Sequence, residues 1–226
     1  MRHTIRRIGT IGIVSFLALW LAGCGALVTT PAPPIQATGS TAITQPYPTP
    51  VTTRTLYNNA LTQQATGWAN NPSCTFTSNG LTIHPSGGQA YICLAPTTPV
   101  ADMSATVSVQ QTTGSQNHAF GIAFHHAAPK NYYFFGIDAR GRFTLTVVVN
   151  DVSHVVLPFT HSTIVHIGMN VTNQLQVIMK GQHATLLVNG SPVGQATLST
   201  FTNGTIGLRG INDGEVRFQQ LSISPV

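Results

Sequence analysis

Two runs decide how this chain folds: Ala119-Phe120-Gly121-Ile122-Ala123-Phe124-His125 and, after a short connection, Tyr132-Tyr133-Phe134-Phe135-Gly136-Ile137-Asp138. Each is long enough for one strand and is apolar at odd and even positions alike. A strand sends successive side chains to opposite faces, so such a run lies in mid-sheet with its second face partly sheltered. On the second run Tyr133, Phe135 and Ile137 share one face and fill the space between two sheets, while Phe134 and Asp138 look the other way. A turn at Arg140-Gly141 then starts a further strand at Arg142.

The pattern repeats on either side. Short β-rich runs are broken by Gly, Asn, Pro and Ser every ~8 to 12 residues, the spacing of a sandwich or barrel. Strands are predicted over residues 74–77, 81–84, 90–94, 103–111, 119–125, 132–138, 142–149, 153–157, 174–180, 183–188, 205–209 and 216–223. Asn79-Gly80 and Asn189-Gly190 are hairpin turns, because both central residues tolerate positive φ; Asn150-Asp151 is a weaker one. Strict alternation puts Ala105, Val107 and Val109 on one face and Thr106, Ser108 and Gln110 on the other. Leu175, Val177 and Met179 similarly oppose Gln174, Gln176 and Ile178. No stretch carries a sustained helical stripe, and residues 56–65 give one short helix at most. The domain is predicted to be all-β.

Charge is scarce. Of 226 residues 5 are Asp or Glu and 10 are Lys or Arg, while 42% are hydrophobic and 21 Gly and 14 Pro supply turns. That inventory disfavours EF-hands, coiled coils and paired-carboxylate hydrolases. The length suits an anchor, a tether and one domain. Arg2, Arg6 and Arg7 precede a mostly apolar run over residues 8–22, too short to cross a bilayer and suited to a signal peptide. Without those three arginines the basic surplus is small, and no nucleic-acid partner is expected.

The run ends in Leu21-Ala22-Gly23-Cys24, which resembles the lipobox of bacterial lipoproteins. By that resemblance residues 1–23 are a signal peptide, and Cys24 is lipidated and becomes the mature N-terminus. The membrane is then a partner through its lipid, and the location an extracytoplasmic cell surface. Residues 24–53 lack charge and are rich in Thr and Pro, a composition that buries no core and makes an extended, flexible tether. The folded domain is expected over residues 54–226. Cys74 and Cys93 remain as an even pair in an exported chain and are expected to form a disulfide; a metal site would lack any CxxC partner.

Several motifs in a fixed order resemble concanavalin A-like, laminin-G-like jelly-roll domains. They are Trp68 after Thr66-Gly67, the two runs quoted above, Gly141-Arg142-Phe143, Lys180-Gly181, Leu186-Leu187-Val188-Asn189-Gly190, Gly204-Thr205-Ile206-Gly207-Leu208, and Val216-Arg217-Phe218 with Leu221-Ser222-Ile223. The branch most similar includes 3-keto-disaccharide hydrolase-type domains. The resemblance spans nearly all of residues 55–226 and implies two curved antiparallel sheets in a jelly-roll sandwich, with a concave surface or rim loops as the usual binding place.

Candidate ligand-binding residues are those opposite the core face: His125, Phe134, Asp138 and Arg142 on adjacent strands, with Tyr132 at the loop edge. A sugar needs an aromatic plane and a few fixed hydrogen-bond partners, which this set offers. The alternative is that a loop covers Phe134 and that Arg142 pairs with Asp138. No catalytic residue is assigned, because only Asp213 and Glu215 lie close in sequence, and they sit in a turn. His118, His125 and His126 cluster around one hairpin without a shared direction, so no metal site or cofactor is expected. Calcium at rim carboxylates, which the resemblance allows, finds few acids to hold it. The sequence therefore points to a non-catalytic, lectin-like module whose partner is a glycan or cell-envelope polymer. A keto-disaccharide hydrolase-like enzyme and an architectural or protein-interaction domain are the alternatives.

Overall fold

In the computed structural model, which describes residues 55–69, 71–84, 89–210 and 212–226, the β-rich runs become fourteen strands, with no helix among the described residues. The expected signal peptide, the lipidated Cys24 and the tether lie outside the described residues. The strands are β1 (Tyr57–Asn59), β2 (Cys74–Thr77), β3 (Gly80–Ile83), β4 (Ile92–Leu94), β5 (Met103–Gln111), β6 (Phe120–Ala128), β7 (Asn131–Ile137), β8 (Arg142–Val149), β9 (Val152–His161), β10 (Asn173–Lys180), β11 (His183–Val188), β12 (Ser191–Thr197), β13 (Thr205–Arg209) and β14 (Val216–Ser224).

They form two antiparallel sheets. An eight-stranded sheet runs β12-β11-β10-β5-β14-β3-β2, with β1 also paired to β14; a six-stranded sheet runs β4-β13-β6-β7-β8-β9. β14 changes neighbour along its length, pairing through Val216–Phe218 with β3 and through Leu221–Ile223 with β1. A bulge with Gln220 at φ 55° separates the two halves.

Alternation sets the layers. Ala105, Val107 and Val109 of β5, and Leu175, Val177 and Met179 of β10, are buried against Ile122, Phe124, Tyr133, Phe135, Ile137 and Leu145 of the six-stranded sheet. Each such side chain taken from water contributes ~1.5–3 kcal/mol, which makes this interior the main source of stability. Tyr133 is the largest of the fully buried side chains, and its hydroxyl accepts the backbone N–H groups of Thr200 and Phe201 at 2.7 and 3.2 Å. The expected disulfide joins Cys74 on β2 to Cys93 on β4, thereby tying the edge of one sheet to the edge of the other.

Two elements differ from the sequence prediction. In place of a short helix over residues 56–65 the chain forms β1, then turns where the Asn59 side chain accepts the Leu61 N–H. Leu61 takes φ 62° and is wholly buried, so tertiary packing overrides local helical preference. β12 was not predicted, because Pro192 and Gly194 disguise it. It lies at the rim of its sheet, where a proline costs no ladder bond, and Val193 bulges out of register. The turns at Asn150-Asp151 and Asn189-Gly190 have positive φ at both central residues, as a tight hairpin requires.

Candidate functional site

The outer face of the six-stranded sheet carries a groove of about 710 Å³. Its shape follows from strand register. One row across the face reads Gly207, Ala123, Phe134, Thr146 and Val155; the next reads Arg209, Gly121, Gly136 and Thr144. Of the two central glycines of the second row, Gly136 leaves the hollow on this face, because a Cβ at Gly121 would meet Leu175 of the core instead. The Phe134 ring lies over Gly136, where an added Cβ would sit 2.5 Å from Phe134 Cζ. From the other side the Arg209 guanidinium stacks on the same ring, its carbon 4.4 Å from the centroid.

The floor is therefore Phe134, buried with Ala123, Tyr132 and Val148 in an apolar cluster separate from the main core. β8 and β9 form one wall with Thr144, Thr146, Ser153, Val155, Pro158 and Phe159, and Asn117, His118 and Asn212 border the other end. Burial pushes the Arg209 pKa below its ordinary value, and the neighbouring Tyr132 hydroxyl acts in the opposite sense. His126 stacks on Tyr132 with ring centroids 5.7 Å apart, and burial lowers its pKa as well, against a smaller opposing effect of its own backbone.

Of the five ligand-binding candidates, the structure brings Tyr132 and Phe134 together in the groove and leaves three outside its lining. His125 is wholly buried on the opposite side of the sheet, against Phe124 and Tyr133. Its Nε2 lies 2.9 Å from the Ala101 carbonyl oxygen and its Nδ1 3.1 Å from that of Phe201. The reason is a bulge: His125 takes φ 46° and pairing with β7 breaks after Phe124, so Phe124 and His125 both turn inward. Gly204 makes this possible, since a Cβ there would sit 2.3 Å from the His125 carbonyl carbon.

Asp138 and Arg142 pair with each other. The buried Asp138 carboxylate accepts the backbone N–H groups of Arg140 and Arg142 at 3.1 and 3.0 Å and the Arg142 Nε–H at 2.8 Å. This closes the β7–β8 turn, in which Gly141 takes φ 83°. The Arg142 guanidinium then lies over Phe159, 4.4 Å from its centroid, and so supports the groove wall from outside.

Sequence reasoning missed Arg209. Its signal was present, for in Thr205-Ile206-Gly207-Leu208-Arg209 alternation sends Arg209 to the face opposite Ile206 and Leu208, and those two are buried core. The remaining acids are all engaged. Asp151 at the groove pairs with Lys130, Asp213 binds His118 and Ser115, Glu215 pairs with His84, and Asp102 accepts the Gly181 N–H. Asp213 has its pKa lowered by the Ser115 and His118 hydrogen bonds. Among the described residues no group of three or more His, Cys, Asp or Glu side chains is placed to hold a metal ion.

No protein-family model matches the sequence, and no curated protein is similar to it at a significant level. Solved structures are similar in fold. Carbohydrate binding module CBM66 from Bacillus subtilis superposes with a TM-score of 0.61 at 20% identity, over 70% of this chain and 96% of that one. The Bacillus licheniformis beta-glucanase gives 0.56 at 10% identity, over 77% and 100%. A putative glycosyl hydrolase from Parabacteroides distasonis gives 0.54 at 13%, over 75% and 100%. With its two antiparallel sheets and the order of its strands, the domain has the concanavalin A-like jelly-roll fold.

Proposed function

We propose that this domain is a glycan-binding module, held at an extracytoplasmic cell surface by lipid on Cys24, and that it binds without catalysing. The observation that carries the reading is the groove itself. The exposed Phe159 ring stands on its wall above a closed floor of Phe134 and Tyr132, with the hydroxyls of Thr146 and Ser153 and the amides of Asn117 and Asn212 along the border, the mixture of ring face and fixed polar groups that sugars require. The neighbours in fold are named as a carbohydrate binding module, a glycosyl hydrolase and a glucanase, which supports the same direction. Placement of the acids favours binding over glycoside cleavage, because Asp151 alone lines the groove and a glycosidase needs two carboxyls there. The Cys74–Cys93 disulfide suits an exported protein, and the lipobox supplies the anchor.

The test is affinity electrophoresis of the soluble domain through gels containing plant and bacterial polysaccharides. At least one polymer is expected to retard the protein, and Phe159→Ala, an exposed wall position, or Tyr132→Ala is expected to weaken binding roughly 3- to 10-fold. Absence of retardation in every gel, or retardation indifferent to both changes, counts against the reading. A second reading, a glycan-processing enzyme related to keto-disaccharide hydrolases, is favoured by one observation: His118, Arg209 and Asp151 border the same groove. It predicts release of reducing or keto sugars that His118→Ala abolishes.

A further inference from the structure

The most unusual feature of the groove is its cation. Arg209 is half-buried on the floor, yet it makes no ion pair with any of the five acids of the chain. Each of those acids has a different partner, and the one nearest the groove, Asp151, is matched by Lys130. Stacking on Phe134 uses the flat face of the guanidinium and leaves its in-plane N–H donors for other groups. Tyr132, the polar neighbour beside it, offers a single hydroxyl oxygen against five donors.

A guanidinium partly withdrawn from water and not paired with a carboxylate is an unfavourable arrangement, and one that an anion relieves. A neutral sugar hydroxyl would supply an acceptor but no charge. A carboxylate supplies both, with two oxygens spaced to match the guanidinium fork. Val155 and Phe159, both exposed on the wall, offer apolar surface to the rest of such a residue, and Thr146 lines the same wall.

From this geometry we infer that the groove selects a carboxylate-bearing sugar, a uronic acid unit of an acidic polysaccharide, and that Arg209 is the residue that reads the charge. The inference rests on the glycan-binding reading above and specifies its ligand class. Arg209 is a specificity-determining residue here, with Phe134 holding it in position.

The experiment compares the soluble domain on polygalacturonate, alginate and hyaluronate with the same polymers after reduction of their carboxyls to alcohols, and on dextran sulfate as a control for charge alone. At least one uronate polymer is expected to bind roughly 10-fold or more tightly than its reduced form. Arg209→Gln is expected to abolish that difference, and Arg209→Lys to restore part of it. The native and reduced polymers are compared on the wild-type protein, so the charge preference is measured even if a variant folds poorly. Equal binding of native and reduced polymers overturns this inference and leaves the glycan reading standing. Binding to dextran sulfate as strong as to the uronates, and insensitive to Arg209→Gln, also overturns it. Failure to bind any native or reduced polymer overturns this inference, and only together with absence of retardation in every polysaccharide gel above does it overturn the glycan reading as well.

Discussion

Asp138 separates two roles that the sequence left open, ligand contact and structural pairing, and one substitution distinguishes them. In Asp138→Asn one oxygen remains to accept the two backbone N–H groups of the turn, at 3.1 and 3.0 Å in the native protein. The other position becomes an NH₂ facing the Arg142 guanidinium, so the charge-assisted contact at 2.8 Å is lost. Breaking a fully buried ion pair costs ~3–5 kcal/mol, largely because the partner's charge is stranded. Here Arg142 keeps 30% side-chain exposure and its stack on Phe159, so its charge regains water and the loss falls to about 2–3 kcal/mol. For a domain of this size that corresponds to a Tm lower by ~4–12 °C. Guanidinium chloride unfolding measures the first quantity, and glycan titration of the folded variant measures whether the groove changed. Affinity is expected to stay within about 2-fold, since Asp138 does not line the groove. Unchanged stability combined with lost binding would refute the structural assignment and return Asp138 to the ligand site.

Other outcomes follow from the same geometry. Gly136→Ala suits the local backbone, yet its Cβ would meet the Phe134 ring at 2.5 Å; overpacking of ~1–3 kcal/mol and weaker glycan binding are expected, readable by denaturation and affinity electrophoresis. Replacing Cys74 and Cys93 together by Ala removes a cross-link spanning 19 residues and is expected to lower stability by roughly 3 kcal/mol, as is reduction by dithiothreitol. His126 has its pKa lowered by burial in the folded state, so its contribution to stability is complete above the ordinary value near ~6.5 and is lost as pH falls from there through the folded-state value. An NMR titration of its ring is expected to show a midpoint on the acid side of free histidine, and His126→Asn to weaken that part of the pH dependence. Cys24→Ser is expected to move the full-length protein from the membrane fraction to the soluble one.

What could be read in advance was whatever obeys strict alternation. Strands β5, β8, β11 and β13 coincide with the predicted bounds because each keeps one period from end to end. The inward set Tyr133, Phe135 and Ile137 follows for the same reason. His125 was misplaced because a single left-handed residue reverses the parity of everything after it, and the Gly204 that permits this lies far away in sequence. Asp138 and Arg142, four apart across a turn, were legible as a pair but not as one excluded from the groove. Arg209 was overlooked because its setting is non-local. It depends on Gly136, on another strand, whose missing side chain admits the Phe134 ring on which the guanidinium stacks.

The strands that end the two sheets bear on how such domains behave when crowded. β2 and β4 are short and are bridged to each other through sulfur. β12 carries Pro192 and an irregular step, and the long β9 carries Pro158 and two breaks in its register with β8. Each device denies an incoming backbone the straight row of donors and acceptors on which intermolecular ladders nucleate. Molecules at high concentration are therefore expected not to zip into fibrils, and hydrophobic Val152 and Val155 can stand exposed on β9 without making that margin adhesive.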